Sequence, residues 1–367
     1  MSKKKTKLQL AQEEAQAAID KTNQKISELG EYTGSLYTSL SRIQELFDAI
    51  RNVPSDKKLE YEKFKEIRLN WKQQAEKIES NYKAAIVKDA GAGAAGISAG
   101  VAVVALGPTA AMGVATTFGV ASTGTAISAL SGAAATNAAL AWLGGGALVA
   151  GGGGMAAGNA FLALAGPVGW AIAGVALLAS GLMLWKSIGD KRHMENIFTL
   201  ISKRDVKSYE LAIVELNERI SRIISESELL NKAIFKIETF GTDYDKMTES
   251  QQYELGAYVN LMTSSTQLLV NPIVGLLPKF SNDDFEKYRV WSERSISDSV
   301  LSDFKELIIS FANLLYKIEL DDKDKKLVYK MFRSNKKKLK SLNIKRKEFV
   351  PDIVDAVVEA LSYKYNL

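Results

Sequence analysis

The feature that most constrains this chain is a long central stretch without charge. Between Asp89 and Lys186 lie 96 consecutive residues that contain no Asp, Glu, Lys, Arg or His. This stretch also holds 21 of the 27 glycines, and most of its other residues are small. A packed soluble core is richer in Leu, Ile, Val and Phe. The sequence therefore predicts an uncharged insert between two charged arms.

The insert is long enough for two or four membrane crossings, since one helical crossing needs about 20 apolar residues. Phe161 to Trp185 is the strongest candidate span, and Ala126 to Ala150 and Ile97 to Val120 are two further candidates. Small residues four positions apart, as in the GxxxG pattern, let helices pack closely in lipid. The residues that we expect to act in membrane insertion are Gly96, Gly100, Trp142, Gly151, Gly152, Gly153, Gly154, Gly158, Pro167, Trp170 and Trp185.

The hydrophobicity of the insert is modest per residue, because Ala and Gly gain little from transfer into lipid. The four successive glycines at 151–154 form a natural turn, and Trp185 followed by Lys186 resembles an interfacial anchor. We therefore expect a segment that can be held in water and then inserted.

Both arms show the 3–4 spacing of long helices with a coiled-coil seam. In the first arm Gly30 and Gly34 weaken the helix and permit a bend, and Pro54 ends it. In the second arm Gly241 is expected to end the helix. The seam positions of the first arm are Leu8, Gln12, Ala15, Ile19, Thr22, Ile26, Leu29, Thr33, Leu36, Leu40, Ile43, Phe47 and Ile50. Those of the second arm are Tyr209, Ile213, Leu216, Ile220, Ile223, Ser227, Leu230, Ile234 and Ile237.

These patterns predict an all-α fold: an elongated helical bundle or coiled-coil rod with a glycine/alanine-rich hydrophobic helical hairpin region. Further helices are expected at about 248–270, 304–320 and 352–363, and no stretch alternates as a strand does. If the two arms pair antiparallel, both ends of the insert lie on one side of a membrane and the number of crossings is even. The predicted regions are 1–89 (first arm), 90–185 (insert), 186–270 (second arm) and 271–367 (C-terminal helical region).

A basic cluster lies near the C-terminus. It is a solvated helical face, a patch for anionic lipid headgroups or, with few aromatic residues among its charges, a nucleic-acid site; we expect no nucleic acid. The residues of the predicted headgroup patch are Lys336, Lys337, Lys338, Lys340, Lys345, Arg346 and Lys347.

No residue pattern predicts an enzyme, a cofactor or a metal site. The chain has no cysteine, which excludes thiolate zinc sites, and its single histidine argues against a Ser-His-Asp triad. His193 is expected to be an exposed helix residue rather than a ligand. Asp321 to Asp324 resembles part of a calcium loop but lacks its glycine and closing glutamate. Glycines 144–154 lack the Gly-Lys-Ser/Thr ending of a phosphate loop.

The layout of residues 8–240 resembles the α-helical pore-forming toxins, in which long helices flank a hydrophobic head or tongue. Ser122 to Gly146 is also similar to a Gly/Ala-rich module of membrane-active bacterial proteins. The resemblance implies a soluble form that hides its apolar segment, then forms a homo-oligomer in the lipid membrane, in some systems with a second protein subunit. The insert is longer than a typical tongue.

Two functions follow as expectations. The first is a membrane-inserting, pore-forming protein, a toxin or bacterial effector; the alternative is a permanently membrane-anchored coiled-coil scaffold or adaptor. The basic start of the chain runs into Gln, Glu and Ala, so no secretory signal is predicted. We expect a cytoplasmic, soluble form until release, or action at the inner membrane.

Overall fold

A computed structural model describes residues 5–91, 108–118, 188–334 and 345–365, and most of these residues are helical. Within those ranges no β-strand is present, which confirms the all-α prediction. The Gly/Ala-rich hairpin region lies almost entirely outside them. The helices are α1 (Lys7–Ala49), α2 (Ser55–Gly91), α3 (Pro108–Phe118), α4 (Ile188–Ile237), α5 (Glu249–Val270), α6 (Asn282–Arg289), α7 (Asp298–Leu315), α8 (Asp322–Ser334) and α9 (Asp352–Tyr365).

The seam positions of the first arm form the buried face of α1. Thr6 begins the helix with a capping box, in which its side chain accepts from the backbone N–H of Gln9. The helix then continues without interruption through Gly30 and Gly34 to Ala49. The buried seam residues are Leu8, Ala15, Thr22, Ile26, Leu29, Thr33, Leu36, Leu40, Ile43, Phe47 and Ile50.

The seam of the second arm is buried along α4 in the same way. Only Ser227 is partly exposed, and Gly241, with φ of 80°, lies in the turn after the helix. The buried seam residues are Tyr209, Ile213, Leu216, Ile220, Ile223, Leu230, Ile234 and Ile237.

The two arms run parallel, so the antiparallel pairing considered from the sequence is wrong. Ser39 of α1 donates to Asn231 of α4 at 3.0 Å. Further toward the C-terminal ends of the two helices, Arg42 donates to Glu238, the residue that follows α4, at 2.9 Å. Beyond the helix ends, Arg51 forms an isolated parallel bridge with Asp243. A repeat of apolar positions shows which face is buried but carries no information on the direction of the partner helix.

The chain reverses in α2, which lies antiparallel to α1. Tyr61 packs against Phe47 with ring centroids 5.2 Å apart, and Trp71 packs against Tyr37 at 5.4 Å. Because α1 and α4 are parallel, α2 ends toward the end of the body at which α4 begins. Both described flanks of the insert, the end of α2 and the start of α4, therefore lie toward the same end of the helical body. The cause is the reversal of the chain in α2, and not an antiparallel pairing of the two arms.

Helix α5 reverses the chain again and lies antiparallel to α4, with Lys236 and Glu254 paired at 2.6 Å. Thr248 caps α5 and Val270 ends it, as predicted. Helix α7 begins before the predicted Phe304, whose non-helical backbone marks a kink. Helices α6 and α8 were not predicted, because each is short and rich in charge.

The buried apolar residues form two clusters. The first lies among α1 to α5. The second lies among α6 to α9 and includes Leu8 of α1 together with Met194, Ile197, Phe198 and Ile201 from the start of α4. The first turns of α4 therefore join the C-terminal helices to the long arms.

Candidate functional site

Helix α3 is a part of the uncharged insert that the structure describes, and it packs against α1, α2 and α5. It is also the described part of the candidate span Ile97 to Val120. It begins at Pro108, the residue that interrupts that span in the sequence. Its buried residues are Ala111, Val114, Ala115, Thr116 and Thr117. The charged arms therefore cover this piece of the insert.

The contact between α1 and α3 is a contact between two backbones. A Cβ atom on Gly30 would lie 1.8 Å from the carbonyl oxygen of Thr109, and one on Gly113 would lie 1.9 Å from the carbonyl oxygen of Ile26. Neither distance leaves room for any side chain, since ordinary carbon–oxygen contacts exceed 3 Å. Only glycine fits at these two positions. We call this contact, together with Gly34, the α3 docking site.

Gly34 lies one helical turn beyond Gly30 and faces the side chain of Met112. A Cβ there would lie 3.2 Å from the Met112 sulfur, which is the flexible end of a side chain. Gly30 and Gly34, two residues at which the sequence alone predicts a bend, together form a GxxxG pattern in the first arm. The signal for a close helix contact was present in this four-residue spacing.

Few polar contacts hold α3 in place. The indole Nε1 of Trp71 donates to the Thr116 hydroxyl at 3.2 Å, and the backbone N–H of Ile273 donates to the carbonyl of Thr117 at 2.7 Å. One such hydrogen bond contributes about 1 kcal/mol net. The side chains of α3 are small, and its contact with α1 relies on the close approach of the two backbones.

A buried arginine joins the same three helices that contact α3. Arg68 of α2 donates to the Gln44 side chain of α1 at 2.6 Å and to the Thr266 hydroxyl of α5 at 3.2 Å. Gln44 in turn donates to Asp48 at 2.9 Å. Burial lowers the pKa of Arg68 to about 10, so the side chain stays charged at neutral pH. This network fixes the spacing of the helices around α3.

A second buried charge lies where α4 meets the C-terminal helices. Arg204 donates to one oxygen of Asp205 through Nε at 2.9 Å and Nη2 at 2.7 Å, and to the carbonyl of Leu314 at 2.9 Å. Among the described residues, the other Asp205 oxygen and the Tyr209 hydroxyl have no hydrogen-bond partner. Burial raises the pKa of Asp205 to about 6, although the charge and hydrogen bonds of Arg204 lower it.

Most of the predicted membrane and headgroup residues fall outside the described ranges. Lys345, Arg346 and Lys347 are described and exposed, and Lys345 pairs with Glu348 at 3.4 Å. The predicted residues that lie outside are Gly96, Gly100, Trp142, Gly151, Gly152, Gly153, Gly154, Gly158, Pro167, Trp170, Trp185, Lys336, Lys337, Lys338 and Lys340.

The motifs with weak resemblance to metal sites have structural roles. The backbone N–H of Asp324 donates to the Asp321 side chain at 2.7 Å, which caps the start of α8. His193 is a half-buried helix residue, with Nδ1 3.2 Å from a carboxylate oxygen of Asp324, and so links α4 to α8. Within the described ranges no group of three or more His, Asp or Glu side chains is placed to hold a metal ion.

No helix among the described residues combines the length and the apolar character needed to cross a bilayer. Comparison with known proteins adds no relative: no family model matches the chain, and no curated protein or solved structure is significantly similar to it.

Proposed function

We propose that this chain is a membrane-inserting, pore-forming α-helical protein whose charged body holds part of the uncharged insert until insertion. The observation that carries the proposal is the α3 docking site. Gly30 and Gly113 give α3 a place on helices that are rich in charge, in contact with α1, α2 and α5. A segment that is always inserted in the membrane does not require a docking site on the charged helices.

The composition of α3 suits a helix that changes its surroundings. Its residues are mostly Ala, Gly, Thr, Val and Met, so the transfer of its own side chains into lipid changes the free energy by a small amount per residue. Small residues that allow close contact with α1 in water also allow close contact between helices in a bilayer. On this proposal the insert forms the helical hairpin in lipid, the long arms form the rod, and several copies assemble. The action is mechanical and needs no catalytic residue or cofactor.

The alternative is a scaffold that is permanently anchored by the insert. Its support is the length of the uncharged stretch, which is enough for several crossings. Separation of cells into aqueous and membrane fractions distinguishes the two functions. An inserting protein is recovered at least partly without detergent, whereas a permanent anchor requires detergent for all of the chain.

The direct test is release of a trapped dye from lipid vesicles by the purified full-length chain. We expect release by the whole chain and none by a variant that lacks residues 91–181. Circular dichroism of the deletion variant checks that its arms remain helical. Absence of release by the whole chain, from both neutral and anionic vesicles, would contradict the proposal.

A further inference from the structure

Two separate basic stretches meet at an aromatic stack in the C-terminal helices. Tyr329 of α8 stacks on Phe349 with ring centroids 5.6 Å apart and planes 6° apart. Phe349 is also packed against Phe311 at 6.3 Å. The stack therefore fixes the second half of α8 beside the turn at 345–348.

Each side of this stack carries basic side chains. On α8 they recur at spacings of four and three, which places them on one helix face. Arg333 lies over the Tyr329 ring at 5.5 Å. In the turn at 345–348, Lys345 forms an ion pair with Glu348. We call this set the basic surface: Lys326, Lys330, Arg333, Lys345, Arg346 and Lys347.

Most of the charge on the basic surface is available to a partner. Lys330, Arg346 and Lys347 are exposed, and none of the ion pairs between described residues involves them. The aromatic rings beside them are used in packing, since Phe332 is buried, and Tyr329 is stacked on Phe349 and contacts the Arg333 guanidinium. Binding of single-stranded nucleic acid relies on aromatic rings that are free to stack on bases. The surface offers charge without such rings, which favours lipid headgroups.

The position of the basic surface relates it to the insert. Helix α8 starts beside the first turns of α4, where Asp324 contacts His193 at 3.2 Å and Lys323 approaches Asp190 at 4.0 Å. Helix α4 begins at Ile188, directly after the uncharged stretch. The basic surface therefore belongs to the helices at the end of the body where the chain returns from the insert.

We propose that the basic surface binds anionic lipid headgroups and so brings the flanks of the insert to the membrane before insertion. This inference rests on the proposed function and names the class of lipid that it requires. A basic side chain near an anionic bilayer gains about fivefold in binding. Removal of three such charges should therefore weaken binding on the order of 100-fold.

The test is flotation of the full-length chain with vesicles of phosphatidylcholine alone and of phosphatidylcholine mixed with phosphatidylserine. The ratio of the two binding constants reports headgroup charge, because apolar insertion contributes to both. The variant is Lys330→Gln with Arg346→Gln and Lys347→Gln. All three side chains are exposed, so the fold is not expected to change.

A matched control removes the same charge from the opposite end of the body, through Lys63→Gln, Lys232→Gln and Lys246→Gln, which are also exposed. We expect the ratio to be high for the wild type and the control, and to fall on the order of 100-fold in the variant. Equal ratios for variant and wild type would overturn the inference. Binding of an RNA or DNA oligonucleotide that depends on the same three residues, without preference for anionic vesicles, would overturn it too.

Dye release from the same vesicles separates this inference from the proposed function. Charge-dependent flotation without release supports the basic surface and contradicts pore formation. Release that is equal for wild type and variant from anionic vesicles supports pore formation and contradicts the role of the basic surface.

Discussion

Gly30 of α1 and Gly113 of α3 face each other across a contact that leaves no room for a side chain on either residue. The nearest backbone oxygens would lie 1.8 and 1.9 Å from an added Cβ. Side chains can turn away from a clash, but a carbonyl oxygen in a helix moves only with the helix itself. The position of α3 on the arms therefore depends on the absence of a side chain at both glycines.

Substitution of Gly30 by alanine should displace α3 and destabilise the protein. Alanine favours the helix by up to about 1 kcal/mol over glycine, whereas overpacking of a tight contact costs roughly 1–3 kcal/mol. Since the clash is with backbone, we expect the second effect to win. Thermal unfolding followed by circular dichroism should show a lower Tm for Gly30→Ala.

The matched control for this change is Gly256→Ala in α5. Gly256 is exposed, and an added Cβ there meets nothing within 4 Å. This variant should be stabilised by roughly 0.5–1 kcal/mol. The same substitution is therefore expected to destabilise the protein at the packed Gly30 and to stabilise it at the exposed Gly256. A stabilised Gly30→Ala would show that α3 does not pack against α1 in solution.

Asp205 should make stability depend on pH in a direction opposite to that of most carboxylates. Burial raises its pKa to about 6 in the folded chain, above about 3.9 in the unfolded chain. The folded state therefore binds the proton more tightly, and this group adds stability as the pH falls from 8 to 4. The contribution is up to about 3 kcal/mol, at 1.36 kcal/mol per pKa unit.

The variant Asp205→Asn lacks this proton-linked contribution, while its side-chain oxygen can still accept from Arg204. Asp284 and Glu286 have lowered pKa values, to which Lys364 and Lys305 contribute, and they lose stabilisation at acid pH. The measured quantity is therefore the difference in urea unfolding free energy between variant and wild type. As the pH falls, the unfolding free energy of the wild type should rise relative to that of the variant. A difference that is constant with pH would contradict the burial of the Asp205 charge.

Arg68 should not be replaceable by lysine. Its guanidinium reaches both Gln44 and Thr266, which lie on different helices, and a single ammonium group cannot reproduce this fork. A buried polar group left without its partner costs about 1–3 kcal/mol, so Arg68→Lys should lower the free energy of unfolding, measured with urea, by that amount. The adjacent Leu69, which is exposed, offers the control Leu69→Lys, for which a change within about 0.5 kcal/mol is expected.

The sequence predicted the buried faces of the long helices with high success, because burial follows directly from the apolar repeat. The eleven seam positions between Leu8 and Ile50 whose side chains the structure describes are all buried. The bounds of α5 were also predictable, since Thr248 and Gln251 form a local capping box and Pro272 follows the end. These features depend on neighbours in sequence.

The partners of those faces were not predictable from the repeat. Helix α1 packs against α3, a helix from the insert, as well as against α4, and a heptad pattern does not distinguish two partners from one. The role of Gly30 was missed because a glycine within a helix has two explanations, flexibility and close approach, and only the position of Gly113 decides between them. The pairing of His193 with Asp324 spans 131 residues and has no local signal.

The most direct test of the central claim is the rate of dye release by Gly30→Ala, compared with wild type and Gly256→Ala on the same vesicles. If α3 must leave the arms before insertion, Gly30→Ala should release dye faster than both. Hydrogen exchange at residues 108–118 establishes in the same samples that α3 is freed while α4 remains protected. Release at the wild-type rate from a variant with a freed α3 would contradict the account.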